Sequence, residues 1–511
     1  MSKPSYANIV CRTSSANNVV GTSAEPIFDS DHASVVFSSD TSDDIVYTSG
    51  DGTLTFKKAG TYHIVANLVT GSDTGDNTHT VTFNLNSDSA IYTGVNAVGA
   101  NFDPITHTHQ RIITVSANDV LHIKIVASAN TIGIVAGTSL IVNRVTSGVF
   151  ASSTVTTAGS NNTTAEFNPL DTDGDGPAFA SAGKIASGVT FTENAGSMTV
   201  PSAGRYFIMI SNFVGVGGST NSNVTMHLKS GSDEIYTATT RPHNTTDPTE
   251  STICVIEDLA ADAALTITYD IGSGNCFADV GTTFTIYKLN EDVNNLNETL
   301  DVNSASISIL NNTESTTTAV EVPPFDEDGY GTADFITRYS NNITHNAGDG
   351  DFTIGAKGKY WIFYSGYNII GGDDDLVTKI KRNGEVILEG SAKIDSLDDP
   401  QNRTYTTVID CDAGDKLQVT IDSDGNNIRI EPGTSLVIVR LSDWAIGQTT
   451  PTELVNISEN YRIDSFATEQ LSAQHNRHAD QVPFVLATPG PLSLRQRNLA
   501  ATITAGTSNE S

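Results

Sequence analysis

The chain has 511 residues, with 59 acids against 27 bases and a formal net charge of −32. Such a polyanion repels nucleic acid and anionic membrane, which argues against packaging or polymerase roles. Four cysteines are too few for a disulfide scaffold, no run of 18 apolar residues suggests a membrane-spanning helix, and the first residues lack an apolar secretion signal.

Along the chain, the first distinctive stretch runs from Leu54 to Val69: a short alternating strand, a turn closed by Gly60, then Thr61, Tyr62 and a long apolar strand. Gly60 is expected to serve a turn that needs a positive φ. Tyr62 suits a strand start because its ring can be buried while its hydroxyl stays wet. Period-two or β-branched runs follow at 81–86, 90–93, 111–115, 120–125 and 137–145, separated by Gly, Asn, Asp and Ser. Short strands parted by turn residues predict a sandwich over 1–147.

The same order returns over 148–290. Met198 to Ile210 repeats the Gly-x-Tyr stretch with Gly204 and Tyr206, and the closing strand begins Gly281-Thr282-Thr283-Phe284. Residues 291–442 repeat it again, with Gly358 and Tyr360, a hairpin turn Arg382-Asn383-Gly384 and a closing strand from Gly433-Thr434-Ser435-Leu436. The tyrosines Tyr62, Tyr206 and Tyr360 stand 144 and 154 residues apart, which is domain spacing rather than solenoid spacing. Tyrosine strand, hairpin, second hairpin and Gly-Thr strand recur in one order three times, so the chain reads as a triplicated domain. Thr146-Ser147-Gly148 and residues 290–295 are the candidate linkers. Residues 443–511 break the pattern. They hold scattered apolar residues, a proline-rich stretch from Val482 to Pro491, and Arg477, Arg495 and Arg497. Such a segment has too little apolar content to order itself, so it reads as an arm that docks on something else.

Asp171-Thr172-Asp173-Gly174-Asp175-Gly176 resembles the start of a calcium loop, and Asp171, Asp173 and Asp175 are the candidate ligands. The Glu that would complete it is replaced by Ala182, and the plainer reading is an acidic surface turn. Asp326, Asp373 to Asp375, and Asp422 with Asp424 are weaker acidic clusters. His107-Thr108-His109 puts two imidazoles on one face of a strand, with His79 or His122 as a conceivable third metal ligand. Polar strand residues are the simpler reading. Cys254 and Cys276 fit free thiols, with neighbouring strands as the alternative. No nucleophile elbow, phosphate loop or Cys/His dyad occurs, so no catalytic site is expected.

The Gly-x-Tyr strand, the hairpin Cys411-Asp412-Ala413-Gly414-Asp415-Lys416-Leu417-Gln418-Val419 and the closing Gly-Thr-Ser-Leu strand resemble the tumour-necrosis-factor-like jelly roll, which includes the head of complement component 1q. Asn118-Asp119-Val120-Leu121 is a looser match, and Asp262-Ala263-Ala264-Leu265 loses the Gly. The resemblance covers most of 1–442 and none of 443–511. It implies an all-β fold of three tandem antiparallel jelly-roll sandwiches plus an extended C-terminal arm. It also implies a homo-trimer or an internal pseudo-trimer. The long Ser/Thr/Asn/Gly/Asp-rich runs look like those of bacteriophage structural proteins. A non-enzymatic virion protein is therefore expected: a decoration, spike or fibre-type component held by its arm to partners such as a major capsid protein. The alternative is an adhesin that binds a receptor or host-surface glycan. No cofactor beyond a calcium ion, no nucleic acid and no membrane partner is expected.

Overall fold

The computed structural model describes residues 5–12, 19–20, 22–30, 36–72, 77–86, 89–98, 105–129, 131–159, 166–171, 184–217, 223–241, 249–271, 274–289, 304–309, 321–326, 335–370, 374–394, 401–423 and 427–441. The arm 443–511, the linker 290–295, and Asp173 and Asp175 lie outside the described residues. Before Leu441 the described residues contain no α-helix; a 3₁₀ turn spans Glu193–Ala195.

Alternating runs of Val, Ile, Thr and Tyr become antiparallel strands in six sheets, two per sandwich. In each sandwich one sheet is centred on the long tyrosine strand: Gly60–Ser72, Gly204–Gly217 or Gly358–Ile370. Sequence-distant strands flank it, Ile105–Val115 and Ser139–Val145 in sandwich 1, Thr249–Leu259 and Thr283–Lys288 in sandwich 2, Gln401–Cys411 and Ser435–Arg440 in sandwich 3. The second sheet carries the hairpins Asn77–Leu85 with Ala90–Val98, Val224–Ser230 with Asp233–Thr240, and Asp374–Arg382 with Glu385–Ile394. Sheet neighbours are thus mostly non-consecutive in the chain, which is the jelly-roll arrangement. Each hairpin also breaks register once, after Phe83, Leu228 and Ile380.

The repeated residues do repeated work. Tyr62, Tyr206 and Tyr360 are fully buried, and their hydroxyls donate to the carbonyls of Lys58, Ser202 and Ala356 at 2.9, 2.8 and 2.6 Å. The expected water-facing hydroxyl is therefore corrected: it closes the turn four residues back. The reason given for the glycines is corrected too. Only Gly204 has a positive φ, 154°. At Gly60 the constraint is close approach, since a Cβ there would meet Arg144 Nε at 2.8 Å. The left-handed position lies instead in the later hairpin, at Asn118, Asp262 and Gly414, with φ of 72°, 60° and 91°. Asp262 fills the place of the missing glycine, because Asn and Asp tolerate that conformation. The amides of these three residues bond the carbonyls of Phe56, Val200 and Ile354.

Thr138, Thr282 and Thr434 form a second repeated device. Each hydroxyl accepts from and donates to one residue of the tyrosine strand: Val69, Phe213 and Tyr367. Replacing Thr282 by Val keeps the shape but leaves the buried Phe213 amide and carbonyl short of a partner. Thr282→Val is expected to lower stability by about 1–3 kcal/mol; a urea titration showing no shift of midpoint would count against this role.

The three sandwiches belong to one compact unit. Each has its own core, and a fourth cluster draws on all three: Val65 and Ile112, Phe207 and Met209, Trp361 and Phe363 among others. Contacts between sandwiches run in one rotational sense. A Cβ at Gly137 would meet Gly390 Cα at 3.1 Å, one at Gly281 would meet Gly94 Cα at 2.6 Å, and one at Gly433 would meet the Ala238 Cβ at 2.7 Å. Sandwich 1 thus abuts 3, 2 abuts 1, and 3 abuts 2, always through the glycine before the closing strand. Asn8, Ser152 and Ser306 repeat the cycle, bonding the Val408 carbonyl, the Ile112 amide and the Ile256 amide. A heterologous contact repeated in one sense closes into a ring.

Candidate functional site

The centre of this ring is lined by three equivalent strands, Ile105–Val115, Thr249–Leu259 and Gln401–Cys411. Their register fixes the equivalences: Thr108 opposes Asn67, Thr252 opposes Ser211, and Thr404 opposes Ser365. Alternate side chains point inward. One end of the centre is apolar, with Ile112, Ile256 and Val408 in the shared cluster. Beside it His63, Phe207 and Trp361, each directly after a repeat tyrosine, meet as a triangle. Their ring centroids are 5.9 Å apart for His63 with either partner and 5.1 Å for Phe207 with Trp361. Gln110 Nε2 donates to the carbonyls of Met209 and Thr283 at 2.9 and 3.2 Å, and its Oε1 lies 2.8 Å from His63 Nε2.

Toward the other end the lining is polar: Thr108, Thr252 and Thr404, then Thr106, Glu250 and Asn402. Thr108 Oγ1 and Thr404 Oγ1 lie 2.7 Å apart, Asn67 Nδ2 donates to the Thr404 carbonyl at 2.8 Å, and the Thr404 amide donates to Thr106 Oγ1 at 3.1 Å. The Thr252 amide donates to Asn402 Oδ1 at 3.2 Å, and Ser365 Oγ donates to the Thr252 carbonyl at 2.8 Å. These bonds join all three sandwiches. Glu250 is 4% exposed, and its Oε1 accepts from Thr252. Burial pushes its carboxyl up to about 8, against the smaller opposing effects of hydrogen bonds from the Thr252 hydroxyl and from the Thr108 amide and hydroxyl, and of the Arg403 charge. At neutral pH Glu250 is therefore mostly an uncharged acid.

The histidine pair is placed inside sandwich 1. His107 and His109 on one sheet face His79 and Asn96 on the other, which are direct cross-strand partners. His109 Nδ1 lies 2.9 Å from Tyr92 Oη, and its Nε2 lies 2.8 Å from Asn96 Nδ2. His109 also stacks on Phe213 of sandwich 2 at 5.2 Å. His79 and His107 are in edge contact at 5.2 Å, and neither ring nitrogen of His79 has a hydrogen bond. His122 is on the opposite face of its strand and takes no part. Among the described residues no three His, Cys, Asp or Glu are arranged to hold a metal ion. These imidazoles are polar core residues. Burial lowers His63 to about 4 and His79 to about 3, and it lowers His109 well below the ordinary imidazole range, with His79 adding to the effect.

Of the acidic candidates, Asp171 sits in a half-buried turn, where its amide bonds the Asn168 carbonyl at 3.3 Å. Asp173, Asp175, Asp373 and Asp424 lie outside the described residues. Cys11, Cys254, Cys276 and Cys411 are free and buried. Cys254 and Cys276 are not on neighbouring strands: the long strand Gly204–Gly217 runs between theirs, and Cys254 faces the shared core while Cys276 faces the core of sandwich 2. Burial raises both thiols, Cys276 to about 12, which keeps them protonated and unreactive.

The class these features define is a tandem jelly-roll protein closed into a ring. No family model and no curated protein matches the chain. Solved structures similar to it include Eiger TNF from S. frugiperda and murine APRIL at pH 5.0, each at 16% identity and a TM-score of 0.21. Each match covers 27% of this chain, and 92% and 99% of those chains respectively. The sheet topology, rather than this likeness, defines the fold.

Proposed function

We propose that this chain is a virion structural protein, a decoration, spike or fibre-type component that presents one three-lobed knob. The observation that supports this reading is the shared core. One chain supplies all three lobes and the residues that close them, so the knob needs no second copy to be complete. A rigid, strongly acidic knob of this kind suits display on a crowded particle, where like charge keeps neighbours apart. Residues 443–511 are the proposed anchor, with the arginines Arg477, Arg495 and Arg497 directed to an acidic receiving surface such as a major capsid protein. No catalytic role is proposed.

The test is a chain ending at Ser442. Such a chain is expected to fold, since every described strand of the three sandwiches ends by Arg440, and to be lost from particles that retain the full-length protein. Equal retention of the shortened chain on purified particles would overturn the anchoring role. Absence of the full-length protein from particles, together with selective binding on a glycan array, would favour the adhesin reading.

A further inference from the structure

The three sandwiches act as controls for one another, and one row of side chains sets sandwich 1 apart. Tyr6, Asn143 and His63 are direct cross-strand neighbours, and direct neighbours share a face of the sheet. That face meets the shared core, to which Tyr6, Ile141 and Val145 belong. Asn8, two residues after Tyr6, lies on the same face and donates through Nδ2 to the Val408 carbonyl of sandwich 3 at 2.9 Å. The position of His63 is held by Phe207 and Trp361 in the other sandwiches, and that of Asn143 by Tyr287 and Val439. In sandwich 2 these two positions form an aromatic stack, Phe207 on Tyr287 at 4.8 Å. In sandwich 1 Asn8, Asn143 and His63 are instead polar, and they are 6%, 1% and 0% exposed.

Four atoms of these three side chains have no hydrogen-bond partner among the described residues: Asn8 Oδ1, Asn143 Oδ1, Asn143 Nδ2 and His63 Nδ1. Buried polar atoms in folded proteins are paired with protein or with ordered water. Their roles as donors and acceptors are fixed. Gln110 Nε2 commits both of its protons to the Met209 and Thr283 carbonyls, so Oε1 accepts, and the proton in its 2.8 Å contact with His63 sits on Nε2. Burial keeps the imidazole neutral at ordinary pH, which leaves Nδ1 as an acceptor. The group therefore offers three acceptors, Asn8 Oδ1, Asn143 Oδ1 and His63 Nδ1, and one donor, Asn143 Nδ2.

We propose that Asn8, Asn143 and His63 hold one buried water molecule beneath sandwich 3. Water has the complementary set of roles. It donates to His63 Nδ1 and Asn8 Oδ1 and accepts from Asn143 Nδ2, and three such bonds are usual for an internal water. Direct cross-strand Cβ atoms stand about 5 Å apart and diagonal ones about 7–8 Å, spans within reach of a single bridging molecule. The three residues include no carboxylate, so a cation in their place would lack an anionic ligand to offset its desolvation.

The seam between sandwiches 3 and 1 is the one that no linker crosses, since 146–148 joins sandwich 1 to 2 and the chain after Leu289 joins 2 to 3. Gln110 fastens sandwich 1 to two carbonyls of sandwich 2 directly. Toward sandwich 3 the fastening is Asn8 on the Val408 carbonyl, and the water fixes the orientation of that carboxamide from its other end. Trp361 of sandwich 3 lies 5.9 Å from the His63 ring, so the water exchanges with solvent only when this seam opens.

The experiment is oxygen-17 magnetic relaxation dispersion of water on the full chain, which counts long-lived internal waters. Asn143→Val, which installs the residue of sandwich 3, is expected to lose one such water. His63→Phe, which installs the residue of sandwich 2, is expected to lose one as well, and the double variant to lose one rather than two, because both residues hold the same molecule. An unchanged number in Asn143→Val, or a double variant that loses two, would overturn the proposal. If the variants fail to fold, a crystal map of the native chain decides. A solvent peak within about 3.2 Å of Asn143 Nδ2, His63 Nδ1 and Asn8 Oδ1 is expected. The absence of a peak there, or its replacement by a heavier ion after soaking in rubidium chloride, would equally overturn it.

Discussion

Replacing Trp361 by Ala is expected to lower stability by about 3–5 kcal/mol, the range for emptying a large aromatic site in a packed interior. The residue is 1% exposed. Its indole Nε1 donates to Thr406 at 2.6 Å, and its ring touches Phe207, His63 and Phe363. None of these contacts serves the private core of sandwich 3. The loss should therefore fall on the cohesion of the ring: in urea, one cooperative transition should separate into several as the lobes unfold independently. Val386→Ala, at a site 47% exposed, should shift stability by less than about 0.5 kcal/mol. A Trp361→Ala midpoint indistinguishable from that of Val386→Ala would refute the idea that the lobes are held by the shared core.

Glu250→Gln carries the second large effect, and its sign depends on pH. In the unfolded chain the carboxyl loses its proton near pH 4.3. In the folded chain it keeps that proton up to about pH 8. Between these values the native state binds more protons than the unfolded one, so stability falls as pH rises, by up to roughly 1.4 kcal/mol per pH unit. Gln removes that slope while keeping an acceptor for Thr252. The variant should match the native protein near pH 4.5 and become the more stable of the two, by several kcal/mol, at pH 8. Thermal melts of both proteins across this range give the difference directly. A gap that stays constant with pH would mean that Glu250 is ionised in the fold.

Much of the fold is legible in the sequence because its determinants are local. A tyrosine that reaches back four residues, an Asn-Gly hairpin at Asn383-Gly384 and the Gly-Thr start of the closing strand each act within a few residues, and each leaves a visible word. The reasons attached to those words were less legible. Gly60 is small because Arg144, 84 positions away, lies against it. Asp262 could be read as a lost glycine until its φ showed that it adopts the same conformation.

The polar end of the ring is harder to read, because its partners are far apart in the chain. Asn67 and Thr404 are separated by 337 residues, and nothing near either one announces the other. A signal did exist for Glu250. When the repeats are aligned on their tyrosines, an acid stands where the other copies have Thr106 and Asn402. For the histidines, the same alignment shows His63 opposite Phe207 and Trp361. A polar residue matched to two aromatics marks a buried position in that lobe more reliably than metal-ligand spacing does.

The ring of small-residue contacts, Gly137 on Gly390, Gly281 on Gly94 and Gly433 on Ala238, has a consequence for behaviour in dilute solution. Three separate subunits assembled through such contacts would come apart as their concentration fell, because each association is second order. Here the lobes are joined through the backbone, so each meets its neighbours at the effective concentration set by its linker, of order millimolar for a short one. A thousandfold dilution leaves that value untouched. A single molecule, shed alone into a large volume, therefore keeps all three seams closed.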